Sequence, residues 1–278
     1  MKILMVGCGR FGSAMLDLLA QFEHEITVID SNEEIIEDIN NTQDVIAVCG
    51  NGADYNVLME NEVNTADVCI ACTGSDEINL LICTIAKKAG AHHTVARLRI
   101  QDHNSETVRF FKENLGLDFV LNPDYLTAEA IYNILMENGT KSCTILGGTR
   151  SGEYLTELLL EKHINVTLIE KSQERCDVLC DRLPNKVTII YDSGADHSAL
   201  RAEGLEGIDA FVAITDMDEE NILTSFFAAE HDIQTVVTKG SKTTYSDIAK
   251  SLNLKHLVSP RVATATILTN YIRSLQRK

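Results

Sequence analysis

Short apolar runs of strand length alternate along the chain with longer amphipathic stretches. The apolar runs are typical of buried β-strands, and the stretches between them space their apolar residues as helices do. In the first half the predicted strands lie near residues 2–7, 25–30, 44–49, 67–72, 92–97 and 118–121, and the predicted helices near 11–22, 32–40, 53–61, 76–89 and 103–115. This alternation predicts an α/β fold, a doubly wound parallel sheet with right-handed crossovers and helices on both faces.

The same pattern occurs twice. The matched segments, 140 to 142 residues apart, are 7–12 with 147–152, residue 30 with 170, 51–54 with 193–196, and 73–81 with 215–223. Self-similarity at a fixed offset indicates a tandem duplication. The sequence therefore predicts two tandem Rossmann-like domains, residues 1–139 and 140–278, joined by a short turn at residues 138–140.

A further helix is predicted at the end of each domain, over residues 125–137 and 262–275. Their apolar residues are Leu126, Ile131, Ile134 and Leu135 in the first and Ile267, Leu268, Tyr271, Ile272 and Leu275 in the second. These faces could cover the sheet of their own domain, or cross to a neighbour and build an oligomer. The pattern favours neither arrangement.

The turn after the first predicted strand contains a glycine motif. Gly7, Gly9 and Gly12 fit G-x-G-x-x-G, in which the first glycine makes a tight turn, the second lets the backbone approach a pyrophosphate and the third lets helix pack on strand. Asp30 lies 18 residues after Gly12, at the end of the second strand, where a carboxylate can accept hydrogen bonds from ribose hydroxyls. An acid there repels a 2′-phosphate, which favours NAD(H) or an adenine nucleotide over NADP.

Ligands of open parallel sheets bind outside the carboxyl ends of the strands. The candidate nucleotide-binding residues at those ends are Gly7, Cys8, Gly9, Arg10, Phe11, Gly12, Asp30, Ser31, Asn51, Gly52, Ala53, Thr73, Gly74 and Arg97. Arg10 could pair with phosphate oxygens and Arg97 could close over them, although surface ion pairs are an alternative for both. The second copy has Thr149 in place of the middle glycine and Asp216 in place of Gly74, so we expect it to bind poorly or to bind something smaller.

Composition limits the partners and the compartment. The formal net charge is −17 and no basic stripe is visible, which argues against nucleic acid or an anionic membrane surface as a partner. No apolar run has the length of a transmembrane segment and no signal region is visible, so we expect a soluble, intracellular chain. The eight cysteines are expected to be reduced. Cys69 and Cys72 have redox-motif spacing, but on a strand they face opposite sides.

The sequence predicts no enzyme and no metal site. The second copy occupies the length where an oxidoreductase would carry a catalytic domain. Among the histidines, His24, His92, His93, His103 and His197 form no acid–base set, and metal-ligand spacing is absent. A nucleotide-binding fold without a reaction partner suggests a sensor, with a small NAD-dependent oxidoreductase as the alternative.

These motifs together resemble a known family. The residues that carry the resemblance are Gly7 to Gly12 with Asp30, segments 50–54, 73–79 and 96–99, and Asn122 with Pro123. The chain resembles the TrkA or RCK (regulator of potassium conductance) family, the cytosolic regulatory subunits of Trk- and Ktr-type potassium uptake systems, and most closely its tandem arrangement. The likeness covers essentially the whole chain, as two N-terminal-type RCK lobes.

The resemblance implies a non-enzymatic, ligand-gated regulator. Such proteins dock under a membrane potassium channel or transporter subunit at the inner face of the cell membrane, form dimers that assemble into a ring, and bind NAD(H) and ATP/ADP. By the same likeness segment 7–12 and Arg97 hold phosphates, Asp30 the ribose, and segments 51–53 and 73–74 the adenine side. The helix after Pro123 looks like the crossover helix that members exchange between partners.

The chain departs from the family in one respect. Tandem members usually carry a small additional lobe after each nucleotide-binding lobe, and neither is present here. A natural compact variant or an engineered deletion would explain this.

Overall fold

The computed structural model describes residues 1–100, 106–193, 205, 207–231, 233–241 and 244–277. In these residues the chain forms two six-stranded sheets in which all the strand pairs are parallel. Helices alternate with the strands along the chain. The predicted fold, two tandem Rossmann-like α/β sheets, is confirmed.

The first sheet has the strand order β3-β2-β1-β4-β5-β6. Its elements are β1 (Lys2–Val6), α1 (Arg10–Leu19), β2 (Glu25–Asp30), α2 (Glu33–Thr42), β3 (Ile46–Cys49), α3 (Tyr55–Glu60), β4 (Val68–Ala71), α4 (Asp76–Ala89), β5 (His93–Arg97), α5 (Glu106–Asn114) and β6 (Phe119–Leu121). Each predicted strand lies within a few residues of its observed bounds. Residues 103–105 of the predicted fifth helix, His103 among them, lie outside the described residues.

The second sheet has the equivalent order, β9-β8-β7-β10-β11-β12. After helix α6 (Pro123–Glu137), its elements are β7 (Ser142–Leu146), α7 (Arg150–Glu161), β8 (Asn165–Glu170), α8 (Gln173–Arg182), β9 (Thr188–Tyr191), β10 (Ala210–Ala213), α9 (Asp218–Ala229), β11 (Thr235–Lys239), α10 (Thr244–Ser251), β12 (His256–Val258) and α11 (Pro260–Leu275). Residues 194–196 of one matched segment, and His197, lie outside the described residues.

The closing helices α6 and α11 pack away from the sheets that precede them. The chain forms two compact units, one of Met1–Pro123 with Thr264–Lys278 and the other of Asp124–Ala263. Ala128, Ile131 and Leu135 of α6 lie in the apolar core of the second unit. Each closing helix therefore belongs to the unit built on the other repeat of the same chain. The sequence had left open whether these helices cover their own sheet or cross to a neighbour.

Aromatic contacts fix α11 in the first unit. Tyr271 stacks on Phe119 with 4.3 Å between ring centroids, and the guanidinium of Arg273 lies 4.3 Å from the ring centroid of Phe22. Burial, with the nearby charge of Asp118, raises the pKa of Tyr271 to about 12. A stacked pair and a cation over an aromatic face each add specificity to plain apolar burial.

The strand order creates a crevice at the carboxyl end of the first sheet. β1 pairs with β2 on one side and with β4 on the other, so the chain leaves β1 and β4 in opposite directions. Gly7, at the end of β1, has φ = +91°, and a Cβ there would lie 2.8 Å from the backbone nitrogen of Thr73. Only glycine fits this turn.

Gly12 controls how closely α1 approaches β1, which gives a first prediction. A Cβ at Gly12 would lie 2.3 Å from the carbonyl oxygen of Gly7, whereas one at Gly74 would meet nothing within 4 Å. We expect Gly12→Ala to lower the free energy of unfolding by about 1–3 kcal/mol, because helix and strand must separate. Gly74→Ala is the control and should change it by less than about 0.5 kcal/mol. Urea denaturation measures both; equal stability of the two variants would contradict the packing described.

Candidate functional site

Three turns meet at the carboxyl ends of β1, β3 and β4. The turn at Gly7 lies against the backbone of Thr73, as its glycine contact shows. Gly52, in the turn after β3, is buried, and a Cβ there would lie 2.0 Å from Val6 Cγ1. The structure thus brings three of the predicted segments, 7–12, 51–53 and 73–74, to one edge of the first sheet.

Asp30 joins the first two βα turns. One carboxylate oxygen accepts a hydrogen bond from the backbone N–H of Cys8 (2.6 Å) and the other from that of Asn32 (2.9 Å). Each carboxylate oxygen has two lone pairs, so both keep acceptor capacity for ribose hydroxyls. Asp30 is half-buried, so it can fix the glycine turn and still face a ligand.

The N-terminus of α1 is open. Gly9 is the N-cap residue, has no side chain to cap the first N–H groups, and is exposed. A Cβ at Gly9 would meet nothing within 4 Å, and the first turn of α1 contains no acidic residue. Uncapped N–H groups and the positive end of a helix dipole form an anion-binding site. The geometry therefore fits a pyrophosphate at this position.

Arg97 is a buried cation at the end of β5. Only 6% of it is exposed, and its Nε has no hydrogen-bond partner among the described residues. Its guanidinium carbon lies 5.1 Å from the ring centroid of Phe11, and the Cys72 thiol contacts it. A buried guanidinium with an unpaired N–H is unfavourable unless an anion completes it. Arg97 thus fits the role of closing over bound phosphates.

Other predicted residues lie in the turns that follow the strands of the first sheet. Arg10, Ser31 and Gly74 are exposed. Asn51 shapes its own turn, since its side-chain oxygen accepts a hydrogen bond from the N–H of Ala53 (3.0 Å). This hydrogen bond lies within the turn after β3 and leaves the glycine turn at residues 7–12 free of it.

The second unit has the same backbone plan with different side chains. Glu170 takes the place of Asp30 and accepts hydrogen bonds from the N–H groups of Gly148 (2.7 Å) and Ser172 (2.8 Å). Gly152 approaches Gly147 as closely as Gly12 approaches Gly7, with 2.1 Å from a Cβ to the carbonyl oxygen. The acid and the close glycine contact therefore belong to the fold of both units.

The groups that could meet phosphate are already paired in the second unit. Thr149, in place of Gly9, caps α7 by accepting a hydrogen bond from the N–H of Gly152 (3.2 Å). Lys239, at the position of Arg97, pairs with Asp216 at 3.5 Å. The Thr149 hydroxyl thus occupies the helix N-terminus that is uncapped in the first unit. The Asp216 carboxylate pairs with the cation whose counterpart, Arg97, has an Nε without a hydrogen-bond partner among the described residues.

A buried ion cluster in the second unit was not predicted from the sequence. Glu153, in the first turn of α7 and 4% exposed, contacts Arg175 at 2.6 Å and Arg182 at 2.9 Å. Arg175 also donates from Nε to the carbonyl of Gly148 (2.6 Å). Glu153 lies in α7 and both arginines lie in α8, so linear spacing gave no signal for the cluster.

The corresponding place in the first unit is an open groove. It lies between α1 and α2, has a volume of about 530 Å³, and has acidic walls that include Asp17, Glu34 and Asp38. The residues at the positions of Glu153, Arg175 and Arg182 are Ser13, Ile35 and Thr42, none of which can form the ion cluster. Cys8, Gly9 and Arg10 also line this groove, so it opens onto the glycine turn and the N-terminus of α1.

Comparison with known proteins gives the family. The TrkA-N domain model matches residues 3–123 and again residues 143–260. The chain belongs to the TrkA-N domain family. Both TrkA-N matches coincide with the sequence repeat, and together they cover most of the chain.

Curated TrkA-N relatives are potassium uptake proteins by name. The Trk system potassium uptake protein TrkA of Halomonas elongata is 22% identical over 98% of this chain and 79% of its own length. The TrkA homologue of Archaeoglobus fulgidus is 23% identical over 99% of this chain and 82% of its own length. The Halomonas alignment spans 364 positions against 278 residues here, so that relative holds internal residues without a counterpart in this chain.

Solved structures share the fold. The GsuK channel has a TM-score of 0.78 at 17% identity, covering 99% of this chain and 69% of the GsuK chain. GsuK bound to ADP has a TM-score of 0.75 at 18% identity, covering 97% and 68%. GsuK channel bound to NAD has a TM-score of 0.77 at 14% identity, covering 99% and 64%.

The described residues contain neither a membrane-spanning helix nor a cluster of metal ligands. No helix there is long and apolar enough to cross a membrane. In the same part of the chain, no three or more His, Cys, Asp or Glu side chains are grouped as metal ligands.

The thiols give a prediction that tests the burial of the site. Cys49 and Cys180 are exposed and the other six cysteines are buried. Burial raises the pKa of Cys8, beside Asp30, to about 12 and that of Cys72 to about 11, so at pH 8 neither is a thiolate. We expect two fast-reacting thiols with Ellman's reagent. The double variant Cys49→Ser, Cys180→Ser should lose the fast phase; a third fast thiol would contradict the burial of the glycine turn.

Proposed function

We propose that the first unit binds NAD(H) and/or ATP/ADP at the crevice between β1 and β4. The observation that carries the proposal is the contrast between the two units. Among the described residues, the first leaves the N-terminus of α1 uncapped and Arg97 Nε without a hydrogen-bond partner, whereas the second pairs the equivalent groups with Thr149 and Asp216. The helix N-terminus and the cation have partners within the second repeat. In the first repeat the same two groups are available to an external anion.

The whole chain is proposed to be a non-enzymatic regulatory subunit of a potassium uptake channel or transporter. Support comes from the family, from the names of its relatives, and from the GsuK structures bound to ADP and to NAD. Its partners would be a membrane potassium channel or transporter subunit and further copies of the chain in a dimer or ring. Its position would be at the cytoplasmic face of the membrane.

Each repeat has a distinct role in this proposal. We assign the nucleotide-binding RCK N-type repeat to residues 1–139 and a second such repeat with a degraded glycine motif to residues 140–278, with each closing helix packed in the other unit. A ligand shifts a conformational equilibrium only through its different affinity for the two states. If nucleotide binds only to the first domain, it can shift the conformational equilibrium of the chain only through its different affinity for two conformations of that domain.

The titration of Gly9→Thr tests the binding site. A Cβ at Gly9 meets no protein atom within 4 Å, so the variant should fold, and its hydroxyl can cap α1 as Thr149 caps α7. The side chain would nevertheless occupy the position of the pyrophosphate. We expect isothermal titration to give one NADH or ATP per wild-type chain and an affinity about 100-fold lower in the variant, a loss of about 2.7 kcal/mol.

The matched control is Thr149→Gly, which makes the reverse change in the second unit. It should leave nucleotide affinity unchanged. Unchanged affinity in Gly9→Thr, or two nucleotides per wild-type chain, would contradict the assignment. The NADH absorbance band should stay constant with a panel of metabolites; its loss would favour an oxidoreductase.

Asp30 should set the preference between the two dinucleotides. Its carboxylate faces the ribose position and repels a 2′-phosphate, so NADPH should bind at least about tenfold more weakly than NADH, a difference of about 1.4 kcal/mol. Asp30→Asn removes the charge; its single side-chain oxygen can still accept the N–H of Cys8 while the hydrogen bond from Asn32 is lost, and the difference should shrink. Equal affinity of wild-type protein for NADH and NADPH would remove Asp30 from the ribose site.

A further inference from the structure

Asn79, in α4, is wholly buried and hydrogen-bonds to two segments of the crevice. Its side-chain oxygen accepts from the backbone N–H of Thr73 (2.8 Å) and from the Thr73 hydroxyl (2.8 Å). Its side-chain nitrogen donates to the carbonyl of Arg97 (2.8 Å). One carboxamide therefore links the turn after β4 with the end of β5.

The first turn of α4 adds a second link to the same strand end. The carboxylate of Asp76 accepts a hydrogen bond from the backbone N–H of Arg99 (2.7 Å). Together with Asn79 it holds the backbone on both sides of Leu98, and so fixes the point from which the Arg97 side chain leaves β5. The backbone of Arg97 is thus held by α4 as well as by its pairing with Leu121 of β6.

The chemistry of the Asn79 site requires an amide. Thr73 presents two donors to it, and Arg97 presents an acceptor. An ionised carboxylate accepts only and an apolar group does neither, so each leaves a buried polar group without a partner. The carboxamide of Asn79 both accepts and donates, so it satisfies the Thr73 N–H, the Thr73 hydroxyl and the Arg97 carbonyl.

We propose that Asn79 is a positioning residue for the bound nucleotide. It holds the Thr73 turn at a fixed distance from Arg97, so that the phosphates and the adenosine side are recognised by one preorganised surface. This inference rests on the proposed nucleotide site in the first unit. Asn79 itself touches no ligand in this role.

The second unit supplies a matched control. Asn221 is equally buried and makes the same contacts, accepting from the N–H (2.8 Å) and hydroxyl (2.8 Å) of Thr215 and donating to the carbonyl of Lys239 (3.1 Å). Loss of either amide should therefore destabilise its unit to a similar extent. Only the loss of Asn79 should affect nucleotide binding.

The experiment compares Asn79→Asp and Asn221→Asp, with Asn79→Ser and Asn221→Ser as second variants. Thermal unfolding without ligand measures the structural cost, and isothermal titration with NADH and ATP measures affinity. We expect similar drops in the unfolding temperature for each pair. Affinity should fall at least tenfold in the Asn79 variants and stay within twofold of wild type in the Asn221 variants.

Lower pH should rescue Asn79→Asp. Burial raises the pKa of a carboxyl group, and a protonated aspartic acid can again donate to the Arg97 carbonyl. Affinity relative to wild type at the same pH should therefore recover between pH 8 and about pH 5.5, whereas that of Asn79→Ser should not.

Three results would overturn the proposal. They are wild-type affinity in a folded Asn79 variant, an equal loss of affinity in the Asn221 variants, and failure of both Asn79 variants to fold while the Asn221 variants fold. Wild-type protein that binds neither NADH nor ATP would overturn the proposed function, and this inference with it. Binding by wild type together with unaffected Asn79 variants would overturn the inference alone.

Discussion

The close contact between the first helix and the first strand is the constraint on which the site depends. In both units a glycine at the third motif position faces the carbonyl of the first at a distance that excludes a Cβ, 2.3 Å for Gly12 and 2.1 Å for Gly152. This contact aims the helix N-terminus at the crevice above β1 or β7. An acid from the next strand then holds the turn by its backbone N–H, as Asp30 and Glu170 do. The fold alone therefore forms the backbone of the proposed anion site.

The two units treat that skeleton in opposite ways. In the second, Thr149 caps the helix, Asp216 pairs with Lys239, and the cluster around Glu153 fills the space beside the turn. In the first, the helix end, the buried Arg97 and the neighbouring groove stay open. In the part of the chain that the structure describes, Arg97 Nε has no hydrogen-bond partner, and a buried polar group without one is unfavourable. The first unit bears that cost in its free state, and an anionic ligand would relieve it.

Much of the fold followed from local sequence. Strand and helix positions came from apolar periodicity, and the repeat from direct matching of segments such as 7–12 and 147–152. The convergence of the turns around Gly7, Gly52 and Thr73 followed from the rule that parallel strands end at one edge. These features depend on short-range pattern or on a general rule of sheet topology, and both are readable in one sequence.

Other features depend on long-range choices that pattern does not encode. The apolar faces of α6 and α11 could cover either sheet, and Tyr271 meets Phe119 only because the chain exchanges these helices. The contacts of Glu153 with Arg175 and Arg182 required knowledge of which helices lie side by side. Asn79 gave a weaker signal: it belongs to a repeated segment, yet its function emerges only when the two turns that it joins are seen at hydrogen-bond distance. The repeat itself holds one further signal, since Arg97 and Lys239 occupy equivalent positions and a duplicated fold keeps its geometry while its charges change.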